Sequence, residues 1–272
     1  MIFLDSQINF AMHYPGIPII FLHAFPLNHR MWQPQMEFLQ ARDIGYLAPD
    51  LPGFGKSPVL KAIVNMDSYT EVLQSFFRQL RIKKAIFISL SMGGYIAFSL
   101  FRKSPDLFAG LVLANTRASA DDEAGRLRRM DMIKNLNDTR DPKPIYDQHI
   151  SKFFTPRTRS ENMELMEFTR QLMRESTLPG IVAAQQAMAS RVDAFDLLPG
   201  MNFPVLLIAG LKDELTTVED AKKMAEYLPD PELKIIEEAA HLSNLEKPEL
   251  FNYYLSEYLE KLNISKSERE QM

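Results

Sequence analysis

A run of β-branched and aromatic residues, Ile86-Phe87-Ile88-Ser89-Leu90, leads without a spacer into Ser91-Met92-Gly93-Gly94-Tyr95 and from there into a helical pattern. A corner this abrupt constrains the chain around it. Its small residues let neighbouring backbone approach closely, and the residue at its apex is held away from the sheet. Ser91 occupies that apex, so its hydroxyl would be open to a histidine from elsewhere in the fold, as in a nucleophile elbow. Such an elbow usually carries glycine two residues before and two after the serine. Gly93 keeps the second position and Ser89 stands at the first. The same residues also suit an ordinary buried strand followed by a helix that Ser91 merely caps, and the segment alone does not separate the two.

The rest of the chain repeats the alternation. Short apolar runs at 17–22, 45–48, 85–89, 111–114 and 205–209 are separated by helical patterns, which argues for βαβ units and a mostly parallel central sheet flanked by helices, an α/β fold. Residues 66–80 place Tyr69, Val72, Leu73, Phe76, Phe77 and Leu80 on one helical stripe, opened by Asp67 or Ser68 as cap. Residues 218–228 and 248–262 behave alike. Between about Thr116 and Asp196 the strand signal disappears and the sequence becomes charged, helical and rich in methionine. A helical segment between two strands cannot lie in the sheet, and the place open to it is over the strand C-terminal ends, where open α/β sheets bind ligands. The expected organisation is therefore a core of residues 1–116 and 196–272 with a helical lid at 117–195. Ser265 to Met272 reads as a polar tail.

A length of 272 residues, 46% of them hydrophobic, is enough to bury a sizeable core. A net charge of -4 leaves no electrostatic footprint for nucleic acid, and no polybasic tract suits an anionic membrane. The complete lack of cysteine excludes a disulfide framework, a thiol nucleophile and a Cys-ligated metal together. Residues 1–10 carry Asp5 and do not read as a signal peptide, and no apolar run reaches the ~20 residues of a membrane helix. These features lead to the expectation of a cytoplasmic protein, monomer or homodimer, acting on a small molecule, with no nucleic-acid or membrane partner.

A serine alcohol is a poor nucleophile at neutral pH. It needs a base, and the base needs an acid to set its tautomer and stabilise the imidazolium. After the strand at 205–209 comes Gly210-Leu211-Lys212-Asp213-Glu214, an acid on a loop at a strand's C-terminal end. After an apolar run at 233–236 comes Glu237-Glu238-Ala239-Ala240-His241-Leu242-Ser243-Asn244-Leu245-Glu246, which supplies His241 as the candidate base. The order serine, acid, histidine is that of the elbow enzymes.

Taken with Leu22-His23-Ala24-Phe25-Pro26-Leu27, with Asp50-Leu51-Pro52-Gly53-Phe54-Gly55-Lys56-Ser57 and with Lys247-Pro248-Glu249 after Glu246, these segments give the chain a resemblance to the α/β-hydrolases. Within them it resembles the group of lactonases, carboxylesterases and cofactor-free haloperoxidases, 3-oxoadipate enol-lactonases included. The resemblance implies an ester or lactone hydrolase with Ser91 as nucleophile, His241 as base and Asp213 as acid. Glu214 and the position after the earlier strand, here the neutral Asn115, are the rival acids. The backbone amides of Phe25 and Met92 would form the oxyanion hole, and His23 would orient that loop without doing chemistry. Relatives usually carry glycine where Ala24 stands, so a loop requiring positive φ there would be strained by about 1 kcal/mol. No cofactor and no metal are implied. Carbon–carbon bond hydrolases, perhydrolases and hydrolase-like ligand receptors share much of the pattern, whereas dehalogenases and epoxide hydrolases carry aspartate at the position of Ser91.

Other features read as structural. Gly53-Phe54-Gly55 is a tight turn, because Pro58 replaces the third glycine of a dinucleotide loop. His13, His29 and His149 show no ligand spacing. Arg126, Arg128 and Arg129 suit a solvated helix face, or alternatively attract an anionic substrate. Phe153, Phe154, Phe168 and the methionines of the helical segment suit a core more than a pocket.

Overall fold

A computed structural model of the chain describes residues 8–13, 18–61 and 63–262. Residues 1–7, Ile17 and the tail from Ser265 lie outside the described residues. Among the described residues seven strands, β1 (Phe10–His13), β2 (Ile19–Leu22), β3 (Tyr46–Pro49), β4 (Ala85–Leu90), β5 (Phe108–Ala114), β6 (Val205–Gly210) and β7 (Pro231–Ile236), form one sheet in the order β1-β3-β2-β4-β5-β6-β7. Of these seven, β1 alone runs antiparallel, against β3. β2, β4 and β6 are buried along their whole length, as expected of parallel strands covered on both faces. Alternation along β4 sorts its side chains between two layers. Ala85 and Phe87 join the cluster that contains Phe76 and Phe77 of α2 (Met66–Gln79), while Ile86, Ile88 and Leu90 join the one containing Trp32, Phe251 and Tyr258.

The short strand β1 carries no clear sequence signal, because an edge strand of four residues buries little. The opening of α2 also differs from expectation. Asn65, not Asp67 or Ser68, caps it, its side chain accepting the Ser68 amide at 2.9 Å. The strand at 111–114 extends back to Phe108, because Ala85 and Ile86 pair with Phe108 and Gly110.

Five helices separate β5 from β6: α4 (Glu123–Thr139), α5 (Lys143–Phe153), α6 (Pro156–Glu161), α7 (Met163–Arg174) and α8 (Leu178–Ala189). α3 (Met92–Lys103) precedes them. The side chains of Asp122, Thr155, Asn162 and Thr177 cap four of the five by accepting a backbone amide of the first turn. α8 meets the core at a glycine pair. A Cβ on Gly53 would lie 2.5 Å from the Gly180 Cα, and Gly53 has φ +89°, so this seam closes only between residues without side chains.

Register decides where the site forms. Leu22 pairs with Ser89, Leu90 with Ala114, Ala114 with Ile208 and Gly210 with Ile236. The loops that begin at His23, Ser91, Asn115, Leu211 and Glu237 therefore leave the sheet along one edge, the carboxyl ends of its parallel strands.

Candidate active site

Ser91 has φ 54° and ψ -115°, a backbone conformation that costs a non-glycine residue of order 1–3 kcal/mol. It persists because its surroundings over-determine it. The Ser91 amide donates to Ala114 O at 3.1 Å and its carbonyl accepts from Thr116 Oγ1 at 2.8 Å. At Gly93 a Cβ would lie 2.1 Å from Leu22 O, and at Gly94 it would lie 2.4 Å from Thr116 Oγ1. Ser89 fits at the other small position by donating its hydroxyl to Val112 O at 2.8 Å. Ser91 stands at the start of α3, yet its side chain makes no capping bond; its Oγ lies 2.9 Å from His241 Nε2.

His241 is buried, and its Nδ1 lies 2.8 Å from Asp213 Oδ2. Because a carboxylate only accepts, Nδ1 carries the proton, and Nε2 presents its lone pair to the Ser91 hydroxyl. Asp213 is held in turn. Oδ1 accepts the amides of Leu215 and Thr216 at 2.8 and 3.1 Å, and Oδ2 accepts Thr216 Oγ1 at 2.7 Å and Asn115 Nδ2 at 2.9 Å. Burial works against its charge, but His241 and these donors outweigh it and hold the Asp213 carboxyl below the usual range. Asn115, with φ 44°, also donates to Ala240 O at 3.2 Å and accepts from Ser243 Oγ at 2.5 Å. The rival acid position thus carries an amide that grips the carboxylate of Asp213.

Residues 23–27 leave β2 beside Ser91 and Met92. Leu51 N donates to His23 Nε2 at 2.9 Å, which leaves the proton on Nδ1, 3.0 Å from Ala24 O. Burial pushes the His23 pKa down to about 4, so the ring is neutral and ties this loop to the one at Leu51. Ala24 is not among the residues of positive φ, and the strain anticipated for alanine there does not arise. The Phe25–Pro26 peptide is cis. Over this loop sits α5. The His149 ring lies 5.3 Å from that of Phe25 and 5.6 Å from that of Phe153, and Phe153 stacks on the His241 imidazole at 5.6 Å.

A family profile described as alpha/beta hydrolase fold matches residues 17–248. The chain belongs to that family. Among relatives of this α/β-hydrolase, 3-oxoadipate enol-lactonase 1 of Acinetobacter baylyi is 30% identical over 261 residues, which cover 95% of this chain and 94% of the relative. A malate-bound esterase from Thermogutta terrifontis is 32% identical with a TM-score of 0.89, covering 94% and 93% of the two chains. An enol-lactonase structure from Burkholderia xenovorans shares the fold at a TM-score of 0.86 and 20% identity, over 94% and 98%.

The roles of three side chains of the site went unread in the sequence, although Asn115 stands there as a rival acid position. Thr216 and Asn115 steady Asp213. Glu246 accepts the Ala240 amide at 2.7 Å through Oε2, and the Thr155 amide and hydroxyl at 2.8 and 2.7 Å through Oε1. It thereby ties the residue before His241 to the start of α6. Asn115 reaches Asp213 across 98 positions and Glu246 reaches Thr155 across 91, contacts that no local pattern marks, while Thr216, three residues after Asp213, sits in a turn that many threonines could occupy without such work. Of the three arginines of α4, Arg129 is half-buried and is not free. Its guanidinium pairs with Asp121 at 2.5 Å. Arg128 is exposed, and Arg126 lines an open groove with Val64, Leu127, Met130 and Val192. Phe153 and Phe154 are fully buried, as a core reading implies. Among the described residues, no group of three or more His, Asp or Glu is placed to hold a metal, and no helix is long and apolar enough to cross a membrane.

Proposed function

We propose that this chain is a serine hydrolase of carboxylic esters or lactones that works through an acyl-enzyme. The observation that carries the reading is the unbroken hydrogen-bonded path from Ser91 Oγ through His241 to Asp213, at 2.9 and 2.8 Å. His241 Nε2 takes the Ser91 proton as Oγ attacks the carbonyl carbon, while Asp213 stabilises the imidazolium. The oxyanion is received by the amides of Met92 and Phe25, the first at the N-terminus of α3 where free amides and the helix dipole favour negative charge. His241 then returns the proton to the leaving alcohol. Water, deprotonated by the same imidazole, releases the acid. No step calls for a cofactor.

Helices α4 to α8 act as the lid, with Phe153 and His149 forming its inner surface over Phe25 and His241. The engagement of Arg129 with Asp121, and the outward placement of Arg126 and Arg128, favour neutral acyl groups over an anionic substrate held by those arginines.

Hydrolysis of short-chain p-nitrophenyl esters by wild type and Ser91→Ala tests the assignment, with folding checked by circular dichroism. The expected outcome is multiple turnover by wild type and a loss of about 10⁴-fold or more in the folded variant. A variant that keeps its rate, or a wild type that binds esters without turnover, would overturn it, the second in favour of a ligand receptor.

A further inference from the structure

Among the described residues six large apolar side chains are at least 56% exposed, and four of them, Val64, Leu127, Met130 and Val192, line one open groove of about 960 Å³. Apolar side chains exposed singly are ordinary, whereas a cluster of this kind marks a surface that a partner covers. None of Ser91, Asp213 and His241 lines the groove, so it is separate from the proposed chemistry.

One wall of the groove is α4, whose inner side buries Ile133 and Leu136. On its outer side Glu123, Leu127, Met130 and Lys134 follow one another at spacings of four, three and four residues, which puts all four on a single exposed stripe. The stripe is symmetric about its centre. Leu127 and Met130 flank the middle, an acid stands four residues before the first and a base four residues after the second. Among the described residues neither Glu123 nor Lys134 makes an ion pair, so both charges are open to a partner.

We propose that this groove is a self-association face, in which α4 of one copy packs antiparallel against α4 of a second copy. A two-fold axis passing between residues 128 and 129 sets Leu127 against the partner's Met130 and Glu123 against the partner's Lys134, and the symmetry makes each contact twice. At 1.5 Å per residue each charge lies about 8 Å from the axis, the acid on one side and the base on the other. An antiparallel mate therefore joins opposite charges, and a parallel one would join like charges. The same pattern selects a second copy over an anionic membrane, which is met by cations alone. Val64 and Val192 extend the apolar contact beyond the helix. The face stands whether or not esters are the substrate.

Sedimentation velocity of the full chain from about 1 to about 500 µM tests the face, and the expected result is a monomer–dimer equilibrium with Kd between about 1 and 100 µM. Glu123→Lys and Lys134→Glu should each weaken dimerisation about tenfold, because each turns two attractive contacts into two repulsive ones. The two changes together exchange the charges and should return Kd to within about threefold of wild type. Met130→Glu places a carboxylate at the apolar centre and should leave a monomer over the whole range. All three side chains are exposed, and circular dichroism checks that each variant is folded; if Glu123→Lys frays the start of α4, Glu123→Gln takes its place and should weaken dimerisation about threefold. A wild type that stays monomeric throughout, leaving the groove to a different partner, would overturn the proposal. So would a dimer that survives Met130→Glu, or a double variant as weak as the single ones.

Discussion

At the residue scale the centre of the molecule is Asp213, a buried carboxylate whose charge persists because five donors converge on it. Each donor to a charged acceptor is worth about 1.5–3 kcal/mol, so removing one without disturbing shape should be readable in rate. Thr216→Val keeps the volume and deletes the hydroxyl that donates to Oδ2 at 2.7 Å. On the proposed mechanism kcat should fall about tenfold with KM little changed, because the lost bond steadies the imidazolium formed in the transition state and not the bound ester. Steady-state kinetics on a p-nitrophenyl ester measure both. A rise in KM alone would place Thr216 in substrate binding instead. Ser91 and His241 could be read from the sequence because each is announced by its own neighbours, an elbow or a loop after a strand. Asn115 and Glu246 could not, since each acts through a partner brought near only by folding, and Thr216 could not because a threonine three residues after an acid is common in turns of no such role.

At the scale of elements, what matters is how the helical segment joins the sheet. The seam between α8 and the turn at Gly53 is held by Thr177, whose amide and hydroxyl both reach Gly53 O at 3.0 Å, and it has no room for a side chain. Gly180→Ala would set a Cβ 2.4 Å from Gly53 O. Backbone on the other side cannot turn away as a side chain would, so the expected destabilisation is on the order of 2–4 kcal/mol, measured by urea unfolding. A change below about 0.5 kcal/mol would mean that the seam is free to open. The helical nature of residues 117–195 was visible in the sequence as a lack of strand signal and a surplus of charge. The docking of these helices was not, because α4 carries apolar residues on both its inner and outer surfaces, with Ile133 and Leu136 buried and Leu127 and Met130 exposed.

Across the whole molecule, buried neutral histidine sets how the protein responds to acid. His23 is fully buried, and burial outweighs its bond to Ala24 O in pushing its pKa from 6.5 to about 4. Between these two values the unfolded chain binds a proton that the folded chain refuses, so stability falls as pH drops from about 6.5 towards 4. The full loss from this one group is at most ~3 kcal/mol. Asp50, held down to about 2 by His29 and the Lys56 amide against its own burial, acts in a lower window. Its contribution is complete above the ordinary carboxylate value of 3.8 and is lost between 3.8 and about 2. Urea unfolding at pH 7.5, 6.5, 5.5 and 4.5 should show the first decline, and His23→Gln should reduce it to about half whatever that variant's stability at pH 7.5, because His149, also pushed down to about 4 chiefly by burial, acts over the same window. An unaltered slope in the variant would assign the decline to other groups.

The amino-acid sequence by itself determined the alternation of strand and helix, the α/β-hydrolase family, and the segments that deliver a serine, an acid and a histidine, because each depends on periodicity or on residues adjacent in the chain. The tertiary structure alone decided that Asn115 grips Asp213 and does not replace it, that Ala24 is unstrained, and that Arg129 is paired with Asp121. The first depends on a distance between residues 98 positions apart in sequence, and the other two on backbone and side-chain geometry that forms only on folding. Such distances are set by sheet register and helix docking, which no local pattern encodes.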